Sequence, residues 1–169
     1  RSRAHWNVLA NQVLFSELAH EPGPNPRYWQ DGWDGYPAAR RRLVDDMLAA
    51  RLRNPFVITG DWHSTFVNDV HVDFVDPASP VVATEIVAPA VTSNGDGPVY
   101  GPYYGPMIEF NPHIRFFDGD RKGYVRCAVG RDRLQADLRY VERVGVPGAP
   151  IDTFASFVVE DGRPGAVPA

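Results

Sequence analysis

The chain has 169 residues, of which 44% are hydrophobic and 22% charged. This composition suits one compact core and excludes an intrinsically disordered chain. Seventeen Lys and Arg against twenty-one Asp and Glu give a net charge of −4, so no basic patch for nucleic acid is expected. No apolar run approaches the roughly 20 residues of a membrane span. A single cysteine, Cys127, excludes a disulfide within the chain and a thiolate zinc cluster.

The first third of the chain predicts two strands separated by a long loop and a helix. Residues 6–15 form an apolar run that predicts a central strand buried on both faces. Residues 20–37 mix proline and glycine with four aromatic residues, which predicts an ordered loop. Apolar spacing after a favourable N1 proline predicts a helix over 37–53. A short buried strand over 56–59 follows and ends at Gly60.

The remainder of the chain is mostly β. Branched residues predict strands over 67–75 and 81–88, followed by a Gly/Pro/Tyr-rich loop over 89–106. Alternation predicts an antiparallel pair around 124–140 and an edge strand over 154–160 before a frayed Gly/Pro tail. The order indicates one α+β domain over residues 1–169, a β-rich sandwich with helices outside packed sheets.

The sharpest local motif is Gly60-Asp61-Trp62-His63, directly after the strand over 56–59. Ligands of open α/β sheets bind at the carboxyl ends of strands. A turn that begins at Gly60 can direct Asp61 and His63 to one cation, and both are suitable metal ligands. The alternative is that Asp61 caps the next segment and His63 is an ordinary packed histidine.

Two other polar groups are candidates for the same site. Asn111 and His113 interrupt an apolar stretch and need partners, which suits either a functional site or a hydrogen-bonded structural cluster. The aromatic loop before the helix offers Trp33, Asp34 and Tyr36 as site walls, although a turn cap and a packing anchor are the simpler interpretations. Cys127 is expected to be a small buried hydrophobe.

Four blocks in register carry a resemblance to a known family. They are WNVLANQVLF, DGWDGYPAAR, VITGDWHS and NPHIRFFDGDRKGYVR, beginning at residues 6, 31, 57 and 111. Together they resemble the C-terminal part of the PhoD-type alkaline phosphatase/phosphodiesterase family.

The resemblance implies a metal-dependent hydrolase of phosphate monoesters and diesters on a metallophosphoesterase-like sandwich. The family is associated with calcium and iron and is usually exported, to the periplasm or the cell exterior. By resemblance, Asp61 and His63 are metal ligands and Asn111 and His113 lie near phosphate or metal. The aromatic loop residues Trp33, Asp34 and Tyr36 then form the rim that binds substrate.

Family members are much longer, and their N-terminal half carries most of the metal ligands. With only Asp61 and His63 as candidate ligands, the chain is expected to supply part of a metal site and to need that N-terminal half as its partner. The alternative hypothesis is a non-catalytic β-sandwich that uses the tyrosine-rich loop around residues 100–104 as a recognition surface.

Overall fold

The structure is a computed structural model that describes residues 2–169. It contains nine strands and one helix of several turns, α1 (Pro37–Ala50), with a single-turn helix α2 (Gly101–Tyr104). The strands are β1 (Asn7–Asn11), β2 (Pro55–Thr59), β3 (Thr65–His71), β4 (Val81–Val87), β5 (Ile114–Asp118), β6 (Lys122–Val129), β7 (Arg133–Val141), β8 (Ile151–Glu160) and β9 (Arg163–Pro168). Short 3-10 helices cover Trp33–Gly35 and Gly105–Phe110.

Five strands form a mixed sheet in the order β1-β2-β4-β3-β5. Strands β1, β2 and β4 are parallel, and β3 runs antiparallel to both β4 and β5. The carboxyl ends of β1, β2, β4 and β5 therefore meet at one edge of the mixed sheet. This edge is the position at which such sheets present functional loops.

The other four strands form an antiparallel sheet in the order β6-β7-β8-β9. Its inner face packs on the mixed sheet in one shared core, in which Phe56, Val67 and Ile86 contact residues such as Leu138 and Phe157. The helix α1 covers the opposite face of the mixed sheet through Val44. The predicted β-rich sandwich is confirmed, and its one long helix lies on the mixed-sheet side.

Two strand assignments from the sequence were wrong. Within residues 2–169, β1 pairs only with β2 and lies at the sheet edge, where Val8 is 50% exposed. The predicted edge strand over 154–160 is interior, because the tail is ordered as β9 and pairs with β8. An Asp161-Gly162 turn, with Gly162 at φ 73°, joins the two strands, and Asp-Gly is a strong hairpin signal.

The expectation for the cysteine was also wrong, because Cys127 is exposed. It lies on β6 beside an apolar groove of about 530 Å³ that Val8, Ile58 and Val129 also line. No helix among residues 2–169 combines the length and the apolar character needed to cross a membrane.

Candidate active site

The candidate site lies at the carboxyl edge of the mixed sheet. The Gly60–His63 turn follows β2, the tyrosine-rich helix α2 follows β4, and the loop at Gly119 and Asp120 follows β5. Because β2, β4 and β5 run in the same direction, the segments that follow them lie at the same edge of the sheet. This edge therefore brings together residues as far apart in sequence as Gly60 and Asp120.

The turn that carries Asp61 and His63 has an uncommon backbone. Asp61 has φ 61° and His63 has φ 54°, both in the left-handed region. Trp62 donates its backbone N–H to the carbonyl of Gly60 at 2.7 Å, which closes a very tight turn. Non-glycine residues adopt this region at a cost, and such strain clusters at functional sites. The main chain therefore presents the side chains of Asp61 and His63 from alternate residues of one tight turn.

Two cavities border Asp61, which is itself exposed. The smaller, about 350 Å³, contains Asp61 and His63 and is otherwise mostly aromatic, its remaining lining being His20, Trp29, Trp62, Tyr100, Tyr103 and Tyr104. The larger, about 600 Å³, places Asp61 beside Trp33 and Tyr36. The structure therefore brings four of the seven predicted site residues around one point.

The metal-binding capacity of this edge is limited. Carboxylate oxygen and imidazole nitrogen are suitable donors for a metal ion. Within residues 2–169, however, no group of three or more His, Cys, Asp or Glu side chains is placed to hold one. Asp61 and His63 therefore fit a metal centre only as two members of a larger ligand set.

Asn111 and His113 lie outside both cavities that border Asp61. They precede β5, whose carboxyl end reaches the candidate site, so His113 is about 16 Å away along the strand at roughly 3.3 Å per residue. The imidazole of His113 donates from Nε2 to the carbonyl of Glu17 at 2.7 Å. Asn111 accepts from the N–H of Ala19 and donates to its carbonyl, both at 2.9 Å. These hydrogen bonds hold the main chain at Glu17 and Ala19, and they are not part of the candidate site itself.

Asp34 also faces away from the cavities. Its side chain is 8% exposed and forms a buried ion pair with Arg40. It accepts a hydrogen bond from the N–H of Leu18 at 3.0 Å. Burial raises the pKa of Asp34, while Arg40 and the Leu18 N–H oppose that rise. The neighbouring Trp33 and Tyr36, by contrast, do line the larger cavity.

The contacts of Asn111, His113 and Asp34 share one target. Residues 15–20, here called the clamped segment, have no regular structure yet are fixed by buried side chains. Glu85 accepts from the N–H groups of Phe15 at 2.8 Å and Ser16 at 2.9 Å. The clamped segment ends at His20, which lines the smaller cavity.

Sequence reasoning missed Glu85. It lies inside β4 with no exposed surface, and its carboxylate also accepts from Thr59 Oγ1 at 2.6 Å and Asn68 Nδ2 at 3.1 Å. A lone Glu within the branched run VVATEIV was the available signal, since a buried charge needs several partners.

His20 was also missed as a site residue, and the tyrosines of α2 were predicted only as a recognition surface in the alternative hypothesis. Asp120 holds the start of α2 by accepting from the N–H groups of Val99 at 3.1 Å and Gly101 at 3.0 Å. A Cβ on Gly119 would lie 2.3 Å from the Gly101 nitrogen, so only glycine allows this approach. The length of the 89–106 loop was the available signal.

Comparison with known proteins identifies relatives over nearly the whole chain. A family model described as PhoD-like phosphatase matches residues 1–138. Alkaline phosphatase D of Bacillus subtilis (strain 168) is 40% identical over 164 residues, an alignment that covers 97% of this chain and 28% of that protein. A solved structure described as the structure of PhoD matches with a TM-score of 0.89 at 39% identity, over 98% of this chain and 32% of that one. This chain corresponds to the C-terminal part of these longer relatives.

Proposed function

Because the chain belongs to the PhoD-like phosphatase family, we propose that it forms part of the active site of a metal-dependent phosphoric ester hydrolase. The resemblance seen in the sequence is confirmed by the family model and by both relatives. The chain spans about a third of their length, so the activity is proposed for the whole protein.

One observation carries the proposal. Asp61 and His63 are both held in left-handed conformations at the carboxyl edge of the sheet, beside two cavities. Asp61 and His63 also line one cavity together, and a carboxylate and an imidazole are suitable donors for one cation. The strain is explained if the turn must aim two ligands at one point.

Asp61 and His63 are proposed to supply two ligands of a centre that contains calcium and iron. The Asp61 oxygen suits calcium and the His63 nitrogen suits iron. Metal ions at such a centre neutralise phosphate charge and lower the pKa of a bound water. This chain orients the two ligands through the turn, while Trp33 and Tyr36 are proposed as rim residues against the ester.

The remaining ligands are proposed to come from the N-terminal part of the same protein. Two features of this chain support that partner. The strand β1 has an unpaired edge within residues 2–169, and an apolar groove lies between the two sheets. Free edges and apolar grooves favour association. We also propose that the whole protein is exported, because members of the family that it resembles usually are.

We propose that Asn111, His113 and Asp34 act as positioning residues. Their partners are Ala19, Glu17 and Leu18, which all belong to the clamped segment. By holding the clamped segment, they fix the position of His20, its last residue, which lines the smaller cavity. The resemblance implied that Asn111 and His113 lie near phosphate or metal. We propose the positioning role in place of that contact.

The test is made on the full-length protein with Asp61→Asn and His63→Asn. Asparagine tolerates left-handed conformations better than most residues, so the turn should persist. Hydrolysis of a phosphodiester should fall more than about 100-fold, beyond the usual cost of losing an outer partner of a metal site. Bound metal, measured by elemental analysis, should fall with it.

The matched control is Asp45→Asn on the exposed face of α1, where Asp45 pairs with Arg41. This variant should keep both turnover and metal content. Unchanged turnover and metal in the two turn variants would overturn the assignment of Asp61 and His63 as ligands.

A further inference from the structure

The smaller cavity beside Asp61 has an aromatic wall that the metal chemistry does not require. We define this wall as Trp29, Trp62, Tyr100, Tyr103 and Tyr104 together with His20, all of which line the cavity. Large aromatic side chains usually bury their rings. Here Trp29 and Tyr103 are each 53% exposed, so two broad rings face the opening of the cavity.

The rings of the wall support one another in a fixed arrangement. Tyr104 stacks on Trp62 with centroids 6.1 Å apart and on Tyr100 at 5.8 Å. Tyr103 packs edge-on against Tyr104 at 4.8 Å and against His20 at 6.3 Å. Offset and edge-to-face contacts of this kind are favourable and restrict ring motion. The exposed face of Tyr103 is therefore held in place before any ligand arrives.

The wall is connected directly to the turn that holds the proposed metal ligands. The imidazole of His63 packs edge-on against Tyr100 with centroids 5.9 Å apart. Trp62 lies between Asp61 and His63 in sequence and stacks within the wall. A group joined to a phosphate at Asp61 and His63 would therefore meet aromatic faces first.

Burial favours the neutral forms of two polar groups of the wall, His20 and Tyr104. Burial lowers the pKa of His20, and the nearby Arg27 lowers it further. Burial raises the pKa of Tyr104 to about 12. A neutral planar ligand suits a wall of this kind.

We infer that the aromatic wall binds a planar aromatic substituent of the phosphate ester, of aryl or nucleobase type. This inference rests on the proposed function for the position of the phosphate. The cavity of about 350 Å³ is at the lower end of small-molecule pockets, which suits one ring system. Stacking on aromatic side chains is a general mode of base and aryl binding.

The test compares two pairs of ligands on the full-length protein. Phenyl phosphate and cyclohexyl phosphate match in size and differ in planarity, whereas adenosine 5′-phosphate carries a base that ribose 5-phosphate lacks. Each is measured by KM and kcat as a substrate and by tryptophan fluorescence binding to the Asp61→Asn variant. The planar member of each pair should bind about 3- to 10-fold more tightly, as one aromatic pair contributes.

Tyr103→Leu and Trp29→Leu remove a ring and keep an apolar side chain. Each should bring the planar preference close to one in both binding and KM. Tyr124→Leu is the matched control, because Tyr124 is 43% exposed on β6 and outside the cavity. It should retain the full preference.

The outcomes separate this inference from the proposed function. Equal binding of planar and non-planar members, or a preference that survives both Leu substitutions, overturns the aromatic subsite while leaving hydrolysis intact. A preference for phenyl phosphate alone identifies the substituent as aryl, and a preference for adenosine 5′-phosphate alone identifies it as a nucleobase. Unchanged turnover in the Asp61→Asn variant would instead overturn the metal-ligand role, and the binding data would still test the wall.

Discussion

The two sheets use polar residues in opposite ways. The mixed sheet buries charge and amide groups inside, with Glu85 and Asn68 fully buried and hydrogen-bonded to each other at 3.1 Å. The antiparallel sheet has an apolar inner face that includes Leu134 and Leu138. Its main buried acid, Asp137, pairs with Arg126 on the outer face, where the Arg126 side chain is 61% exposed.

This difference separates the sheet that carries the site from the sheet that supports it. Apolar packing is non-directional and holds a face in place without fixing loops. Buried hydrogen bonds are directional, and each must be satisfied. The mixed sheet uses them to fix the clamped segment through Glu85.

The largest expected effect comes from Glu85→Ala. The change leaves four buried donors without their acceptor, namely the N–H groups of Phe15 and Ser16, the Thr59 hydroxyl and the Asn68 amide. A buried donor left without its acceptor costs about 1–3 kcal/mol, so four such donors should together cost at least about 3 kcal/mol. Urea unfolding of the full-length protein should show this loss, together with weaker phosphodiester hydrolysis. A loss below about 1 kcal/mol would contradict the contrast between the sheets.

The second effect is a dependence of the protein's stability on pH, caused by His113. Burial lowers the pKa of His113 to about 4, below the unfolded value of about 6.5. The unfolded state thus takes up a proton first, so stability is lost as pH falls from about 7 to about 4. A pKa difference of this size corresponds to roughly 3 kcal/mol.

His113→Gln checks this effect. The variant should be less stable at pH 7 and should lose less further stability between pH 7 and pH 4. The two stability curves, measured by urea unfolding, should therefore approach each other on acidification. Parallel curves would show that His113 does not titrate in this way.

The smallest effect is expected for Asp137→Asn in the antiparallel sheet. Hydrogen bonds from Gln135, Arg126 and Ser156 lower the pKa of Asp137 to about 2, so its contribution is present above about pH 4 and fades as pH falls toward 2. Because Arg126 is exposed and solvent screens the pair, the cost should stay within about 1 kcal/mol. Thermal unfolding at pH 7 and pH 3 measures this cost in stability. A loss of stability as large as that caused by Glu85→Ala would contradict the difference between the two sheets.

The sequence predicted elements whose identity depends on local pattern. The helix begins at Pro37 as expected, and β2 ends at Thr59 just before the motif. The local motif and the resemblance also marked Asp61 and His63 as candidate site residues, and the structure places both in the smaller cavity and Asp61 in the larger one. These features depend on proline geometry, short apolar runs and a local turn.

The rest depended on long-range pairing. A strand's place in a sheet is set by neighbours from elsewhere in the chain, so the apolar run at β1 did not reveal its edge position. Asn111 and His113 were correctly marked as polar groups in need of partners. Their partners, Ala19 and Glu17, are 92 and 96 residues away, and no local pattern identifies them.

The carboxylate of Glu85 also has a consequence for the order of folding. Its four partners come from three other parts of the chain, near residues 15, 59 and 68. It can leave water without penalty only when all of these have converged, since a buried charge without partners is costly. Contacts between distant segments close slowly. The chain should therefore reach its native active-site edge in a late, cooperative step, after the local hairpin of β6 and β7 has formed.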